Sequence, residues 1–232
     1  MTIINDFMSL IYPRRCEACA GLLFKHEVFI CNFCRINLPR SRYHCSREHE
    51  LEQAFAGRVP FERAISFFLF EKNGRVQKLL HNIKYQDQKE LAKYIGNQYA
   101  QELLKDGFDF NFDVIIPIPL HKKKLKQRGY NQSEWFAAGI AEQSKIALST
   151  GNLVREEETS TQTRKKKYQR WENVEGIFTL KDKEALKGKH VLLIDDVITT
   201  GATIEAAWLA LKDVEEIKIS VAAIAFAARS LA

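Results

Sequence analysis

The chain has 232 residues, 46% hydrophobic and 28% charged, the make-up of a soluble globular protein with room for one α/β domain and a small appendage. No apolar run reaches the ~18 residues of a membrane span, and the start MTIINDFMSLIYPRRC shows no basic n-region with a following cleavage site, so a cytoplasmic location is expected. The net charge of +6 suits polyanionic ligands, a pyrophosphate or nucleic acid, without choosing between them.

Met1 to Tyr12 place Ile3, Ile4, Phe7, Met8, Leu10 and Ile11 at the spacing of a short apolar helix, with core packing or a partner as its use. All five cysteines precede residue 46; their odd number and a reducing compartment argue against disulfides. Cys16 with Cys19 and Cys31 with Cys34 form two CxxC knuckles on either side of an eleven-residue, hairpin-like insert. That spacing brings four thiolates to the corners of a tetrahedron, so a structural Zn2+ with no open position is expected. So short a segment has too little core to fold alone, and the metal would supply most of its stability. Cys45 is left over beside His44 and His49 and reads as a local cluster without a ligand. From Arg35 to Arg63 the sequence is charged and irregular. It reads as a link, giving a zinc-binding module and linker over 1–60 and a main domain over 61–232.

The main domain opens with a strand, Ala64 to Phe70, rich in β-branched and aromatic residues. After Gly74 the spacing of Val76, Leu79, Leu80 and Ile83 predicts a helix running to Tyr85, and Leu91, Ile95, Tyr99 and Leu103 mark a second one. Lys84 sits near the end of the first helix, where a cation either reaches a ligand or stays solvated. A strand from Val114 to Ile118 follows, and Pro117 and Pro119 mark where the chain leaves the sheet. Next comes a basic loop with Lys122, Lys123, Lys124, Lys126 and Arg128, at the carboxyl end of a parallel strand, where open α/β sheets bind ligands. A helix beginning near Asn131 buries Trp135, Phe136, Ala138 and Ile140. Arg155 to Asn173 is polar with no buried stripe and reads as a long functional loop.

Val191 to Thr203, VLLIDDVITTGAT, spells out a binding site in the order of its residue types. Val191, Leu192, Leu193, Ile194 and Val197 flank Asp195 and Asp196, as in a strand buried on both faces of a parallel sheet. Thr199, Thr200, Gly201, Ala202 and Thr203 then lead into a helix marked by Ala206, Ala207, Leu209, Ala210 and Leu211. The helix start offers unpaired N–H groups to a phosphate, the threonine hydroxyls add donors, and Gly201 allows close approach. The aspartates would repel that phosphate; they suit a sugar diol, or a sugar carrying Mg2+. Carboxylates for a ribose beside a cradle for its 5′-phosphate specify a phosphorylated ribose. Ile217 to Phe226 gives a last strand.

This segment resembles the phosphoribosyl pyrophosphate (PRPP) motif of type I phosphoribosyltransferases. The run Arg128, Gly129, Tyr130, Asn131, Gln132 and the double CxxC are in turn similar to the competence protein F (ComF) family. Thr161, Gln162, Arg170 and Asn173, ahead of Gly176, Ile177 and Phe178, follow that family's pattern, with Thr163, Arg164, Lys165, Lys166 and Lys167 in place of its more usual apolar insert. The resemblance implies an α/β, parallel-sheet type I phosphoribosyltransferase fold over 61–232 with a small N-terminal zinc-ribbon-like module. It also implies a site: Asp195 and Asp196 on the ribose hydroxyls, Thr199, Thr200, Gly201, Ala202 and Thr203 on the 5′-phosphate, and Arg128, Lys84 and Lys165 or Lys166 on a pyrophosphate carrying Mg2+. The 155–173 loop would close over it. No residue identifies the nitrogen nucleophile that would accept the sugar. The same resemblance implies a rival, non-catalytic role in DNA uptake, in which basic loops grip single-stranded DNA, Tyr130, Tyr168 and Trp171 stack on bases, and the zinc module docks a helicase. A PRPP sensor without turnover is a third reading.

Overall fold

The computed structural model describes residues 13–155 and 176–228. Along the chain come α1 (Asn32–Asn37), a 3-10 turn (Tyr43–Cys45), α2 (Glu50–Gln53), β1 (Ala64–Leu69), α3 (Arg75–Tyr85), α4 (Lys89–Lys105) and β2 (Val114–Pro117). They are followed by α5 (Lys122–Arg128), α6 (Gln132–Ser144), β3 (Ala147–Leu148), β4 (Leu153–Arg155), β5 (Phe178–Leu180), β6 (His190–Ile198), α7 (Ala202–Leu211) and β7 (Lys218–Phe226). Five strands form one parallel sheet in the order β1-β7-β6-β2-β3, the α/β fold expected from the sequence. The short strands β4 and β5 pair antiparallel, Arg155 opposite Phe178.

β6 is the central strand, and its unbroken apolar run follows from having a core on each side. Leu192 and Ile194 face one core with Phe67, Ile83, Tyr99 and Phe136. Val191 and Leu193 face the other with Phe55, Ile204 and Leu211. The ladder between β6 and β2 ends at Ile194 opposite Pro117, because a proline cannot donate to a ladder and turns the chain away. The ladder to β7 continues past Asp195 to Ile198. The two aspartates therefore stand beyond the end of β2, at an open edge.

Helices α4 and α6 cross so closely that a Cβ on Gly96 would run into the Phe136 carbonyl oxygen, and one on Gly139 into that of Lys93. This contact sets the position of α6, whose first turn reaches the aspartates.

Two expectations are corrected. The basic run is a helix, α5, because the His121 ring accepts from the Lys123 N–H (3.1 Å) and caps its start. The stretch from Arg35 to Arg63 is not an irregular link, since Leu51, Phe55 and Val59 are buried, the first two against α7. Cys16, Ala18, Ile30, Cys34 and Leu38 share a core with Phe67 and Leu79, and the Asn82 amide donates to the Glu17 carbonyl (3.2 Å) and carboxylate (2.7 Å). Among the described residues, no helix is long and apolar enough to cross a membrane.

Candidate functional site

The carboxyl end of β6 brings acid, base and hydroxyl groups together. Asp196 pairs with Lys84 at 2.9 Å, both side chains largely buried. Lys84, which could have been a solvated lysine, thus reaches the site from the end of α3. Asp195 Oδ1 accepts from the Asp196 N–H (2.8 Å) and from the Ser133 hydroxyl at the start of α6 (3.4 Å). Burial, and then the negative charge of Asp196, push Asp195 up to about 7. Near neutrality Asp195 can therefore hold a proton.

The turn that follows is held from behind. Arg58, between α2 and β1, donates to the Thr200 carbonyl (2.9 Å) and the Ala54 carbonyl (3.1 Å), and pairs with Glu205 in the first turn of α7. A trans peptide points its C=O and N–H in opposite directions. Tying the Thr200 carbonyl to Arg58 thus turns the Gly201 N–H away from Arg58, and Arg58 also offsets a carboxylate that would repel an anion at the helix start. Gly201 has φ +80° and a Cβ there would run into the Phe55 ring. Thr199, Thr200, Ala202 and Thr203 are exposed around it, and the Thr200 hydroxyl accepts from the Ala202 N–H (3.4 Å).

Arg128 ends α5, donating to Gln132 (2.9 Å) with its guanidinium 5.5 Å from the centre of the Tyr85 ring. Tyr85 borders a cleft of about 330 Å3 that includes Lys84, Asp196 and Thr199. Tyr130 is buried, with its hydroxyl on the Ile83 carbonyl; it cannot stack on a base as the DNA-binding reading had it. Lys165, Lys166, Tyr168 and Trp171 lie outside the described residues, as does the expected loop beyond Arg155. Ser133, Arg58 and Phe55 were missed. The run Leu51, Phe55, Val59, every fourth residue apolar, was the available signal for a buried segment, and nothing local marks Arg58 or Ser133.

At the other end of the chain, the sulfurs of Cys16, Cys19, Cys31 and Cys34 all lie within 4.8 Å of one another. Backbone N–H groups point at them, Cys31 to Cys16 (3.3 Å), Gly21 to Cys19 and Cys34 to Cys31 (both 3.4 Å). Burial raises the Cys16 thiol, but hydrogen bonds from the backbone of Cys31, then of Cys19 and Ala18, outweigh it and bring it down to about 7; burial pushes Cys31 and Cys34 up. Four converging sulfurs with N–H support fit a tetrahedral Zn2+. His44 and Cys45 meet not His49 but Asp106, at 2.9 and 4.0 Å, and Arg42 contacts the same carboxylate oxygen at 3.2 Å, where its charge competes with any cation. The hydrogen bond from His44 holds Asp106 below the usual carboxylate range. His49 stacks instead on Tyr43, ring centres 4.1 Å apart.

A parallel sheet whose central strand ends in paired carboxylates and a threonine-rich turn defines a phosphoribosyltransferase-type domain, and residues 131–231 match the Phosphoribosyl transferase domain family. Over nearly its whole length the chain is also similar to Competence protein F of Haemophilus influenzae, 32% identical over 91% of this chain and 97% of that one. On that likeness it belongs to the competence protein F family. It is 28% identical to Competence protein ComFC of Bacillus subtilis (83% of this chain, 75% of that one) and 26% identical to DNA utilization protein YhgH of Salmonella typhimurium (85% and 84%).

Proposed function

We propose that this protein binds PRPP and transfers its ribose 5-phosphate to a nitrogen nucleophile, with release of pyrophosphate, in the cytoplasm. The observation that carries the reading is the meeting, at one end of β6, of the Asp195–Asp196 pair with the Thr199–Thr203 turn. In the reaction the nitrogen lone pair forms a bond to C1, the C1–O bond breaks with its electrons going to pyrophosphate, and the nitrogen's proton passes to solvent. Positive charge develops on the ribose and negative charge on the leaving group, so anions belong near the first and cations near the second. Asp195 and Asp196 hold the 2′ and 3′ hydroxyls, and the hydroxyls and N–H groups of Thr199 to Thr203 hold the 5′-phosphate. Lys84, exchanging Asp196 for the ligand, and Arg128 meet the pyrophosphate; Lys165 and Lys166 join them in this reading. The donor set fits Mg2+, which binds through one or two carboxylates plus substrate phosphates, and when bound it neutralises the leaving group. Zn2+ in the four-thiolate cluster is structural in this reading.

A second reading, a single-stranded DNA or helicase-binding component of DNA uptake, draws on the relatives' names and on α5, where Lys123, Lys124 and Lys126 are exposed. Calorimetry separates the two. PRPP binding that needs Mg2+ and is lost in a folded Asp195→Ala, Asp196→Ala variant supports the transferase reading. Indifference to PRPP, together with oligo-dT binding that weakens steeply as salt rises, supports the second.

A further inference from the structure

We infer that an apolar face of the four-cysteine segment is a docking surface and that its occupant is the chain's own residues 1–12. Of the eight large apolar side chains exposed among the described residues, five, Leu22, Phe24, Val28, Phe33 and Ile36, lie within residues 22–36. The other three, Tyr85, Leu104 and Leu125, stand on three different helices. The five are between 55% and 77% exposed. Phe24 and α1 are joined through His26: the Phe24 ring stacks on that of His26, centres 6.1 Å apart, and the His26 ring contacts the Asn32 amide at 3.1 Å. Asn32 opens α1, where Phe33 and Ile36 share one side of the helix. So many apolar groups gathered on one exposed face mark a contact surface.

The chain itself runs onto this face. Arg15 bridges antiparallel to Leu22, and the Leu23 N–H donates to the Arg14 carbonyl (3.0 Å). The Arg14 guanidinium donates to the Phe24 and Lys25 carbonyls (3.2 and 3.1 Å). Pro13 therefore enters beside Phe24, and residues 1–12, which lie outside the described residues, are tethered at the edge of the patch. At helical spacing Ile3, Ile4, Phe7, Met8, Leu10 and Ile11 fall on one side, with Thr2, Asn5, Asp6 and Ser9 on the other. A helix of that length would reach about 18 Å, and one so short is marginal in water unless its apolar side is covered. Segment and face each need a cover. The tether sets the one against the other at high effective concentration, so a second copy or a separate protein would have to displace it.

The test places a photo-crosslinking residue, benzoylphenylalanine, at position 24 or 36 of the full chain. Each probe is expected to join residues 3–11 of the same chain, read by mass spectrometry of the monomer band, while the probe at position 104 joins none of them. Phe7→Asp, Ile11→Asp should abolish the links; links that survive show tethering without docking and overturn the proposal. Links to a second chain, with a dimer in sedimentation, overturn it in favour of a second copy. A probe at 24 or 36 that joins nothing overturns it too, since the face is then open. Should the aspartate variant fail to fold, chymotrypsin decides. Phe24→Ser, Ile36→Ser changes two exposed positions and should speed cleavage between Phe7 and Tyr12 severalfold, and a rate equal to that of the wild type overturns the docking.

Discussion

The four-thiol cluster and the turn after β6 are both short loops, yet they are held in opposite ways. The cluster draws its sulfurs and their N–H support from residues 16–34, so its geometry is local and fits a metal. The turn after β6 contains its own donors but takes its shape from Phe55 and Arg58, the latter 142 positions away from the carbonyl that it holds. A local site should fail when its ion is removed. A braced site should fail when a distant side chain is.

Metal removal is the sharpest way to test the contrast. Structural Zn2+ is worth roughly 10 kcal/mol or more in small modules; chelation, or Cys34→Ser, should unfold the module. Loss should spread to the shared core around Phe67, read as a large fall in Tm and a chelatable zinc content of one per chain. Replacing both aspartates comes next: Asp195→Ala, Asp196→Ala should abolish measurable ribose 5-phosphate binding while leaving Tm near that of the wild type. If Tm collapses as well, the pair is structural.

Gly201→Ala puts a Cβ at φ +80° and against Phe55, a strain of about 1–2 kcal/mol before the clash. Ribose 5-phosphate affinity should drop about tenfold or more, and an unchanged affinity would show that the turn does not need its tight shape. Arg58→Ala should cost less, about three- to tenfold in affinity. Adding Glu205→Gln should recover part of that loss by removing the carboxylate left unpaired, and no recovery would leave Arg58 without its charge-offsetting role.

The smallest effect is a pH dependence. Asp195 accepts more strongly from sugar hydroxyls when ionised and is raised to about 7 by burial and by Asp196, so ribose 5-phosphate affinity should climb from pH 6 to 8. Stability runs the other way. The folded protein keeps this proton where an unfolded aspartate, with its pKa of about 4, has lost it. The contribution is therefore full below about pH 4 and gone above about pH 7. Asp195→Asn should flatten both profiles, measured against wild type so that titration of the ligand's own phosphate cancels.

The contrast between the two loops also explains what the sequence could tell. Both CxxC pairs, the Asp195–Asp196 pair and the Thr199–Thr203 turn were legible because each is written in consecutive residues with a fixed spacing. The central strand was legible because burial on both faces leaves a continuous apolar run. The brace was not, since a single arginine on a distant carbonyl leaves no periodicity. Leu51, Phe55 and Val59 were hidden among charges, and the basic run was taken for a loop because its lysines obscured a helix capped by His121. Tyr130 looked available only because an aromatic beside basic residues suggests stacking; its hydroxyl has a buried carbonyl to satisfy.

The Arg58 and Phe55 brace also bears on the order in which the protein is made. The turn after β6 leaves the ribosome 142 residues after the arginine that braces it. The turn cannot take its final form until the late strand has been made and closes against a segment that has long been waiting. An anion seated there would clasp early and late chain together, and its arrival should be felt as slower amide exchange around residues 54–58, far from the motif in sequence.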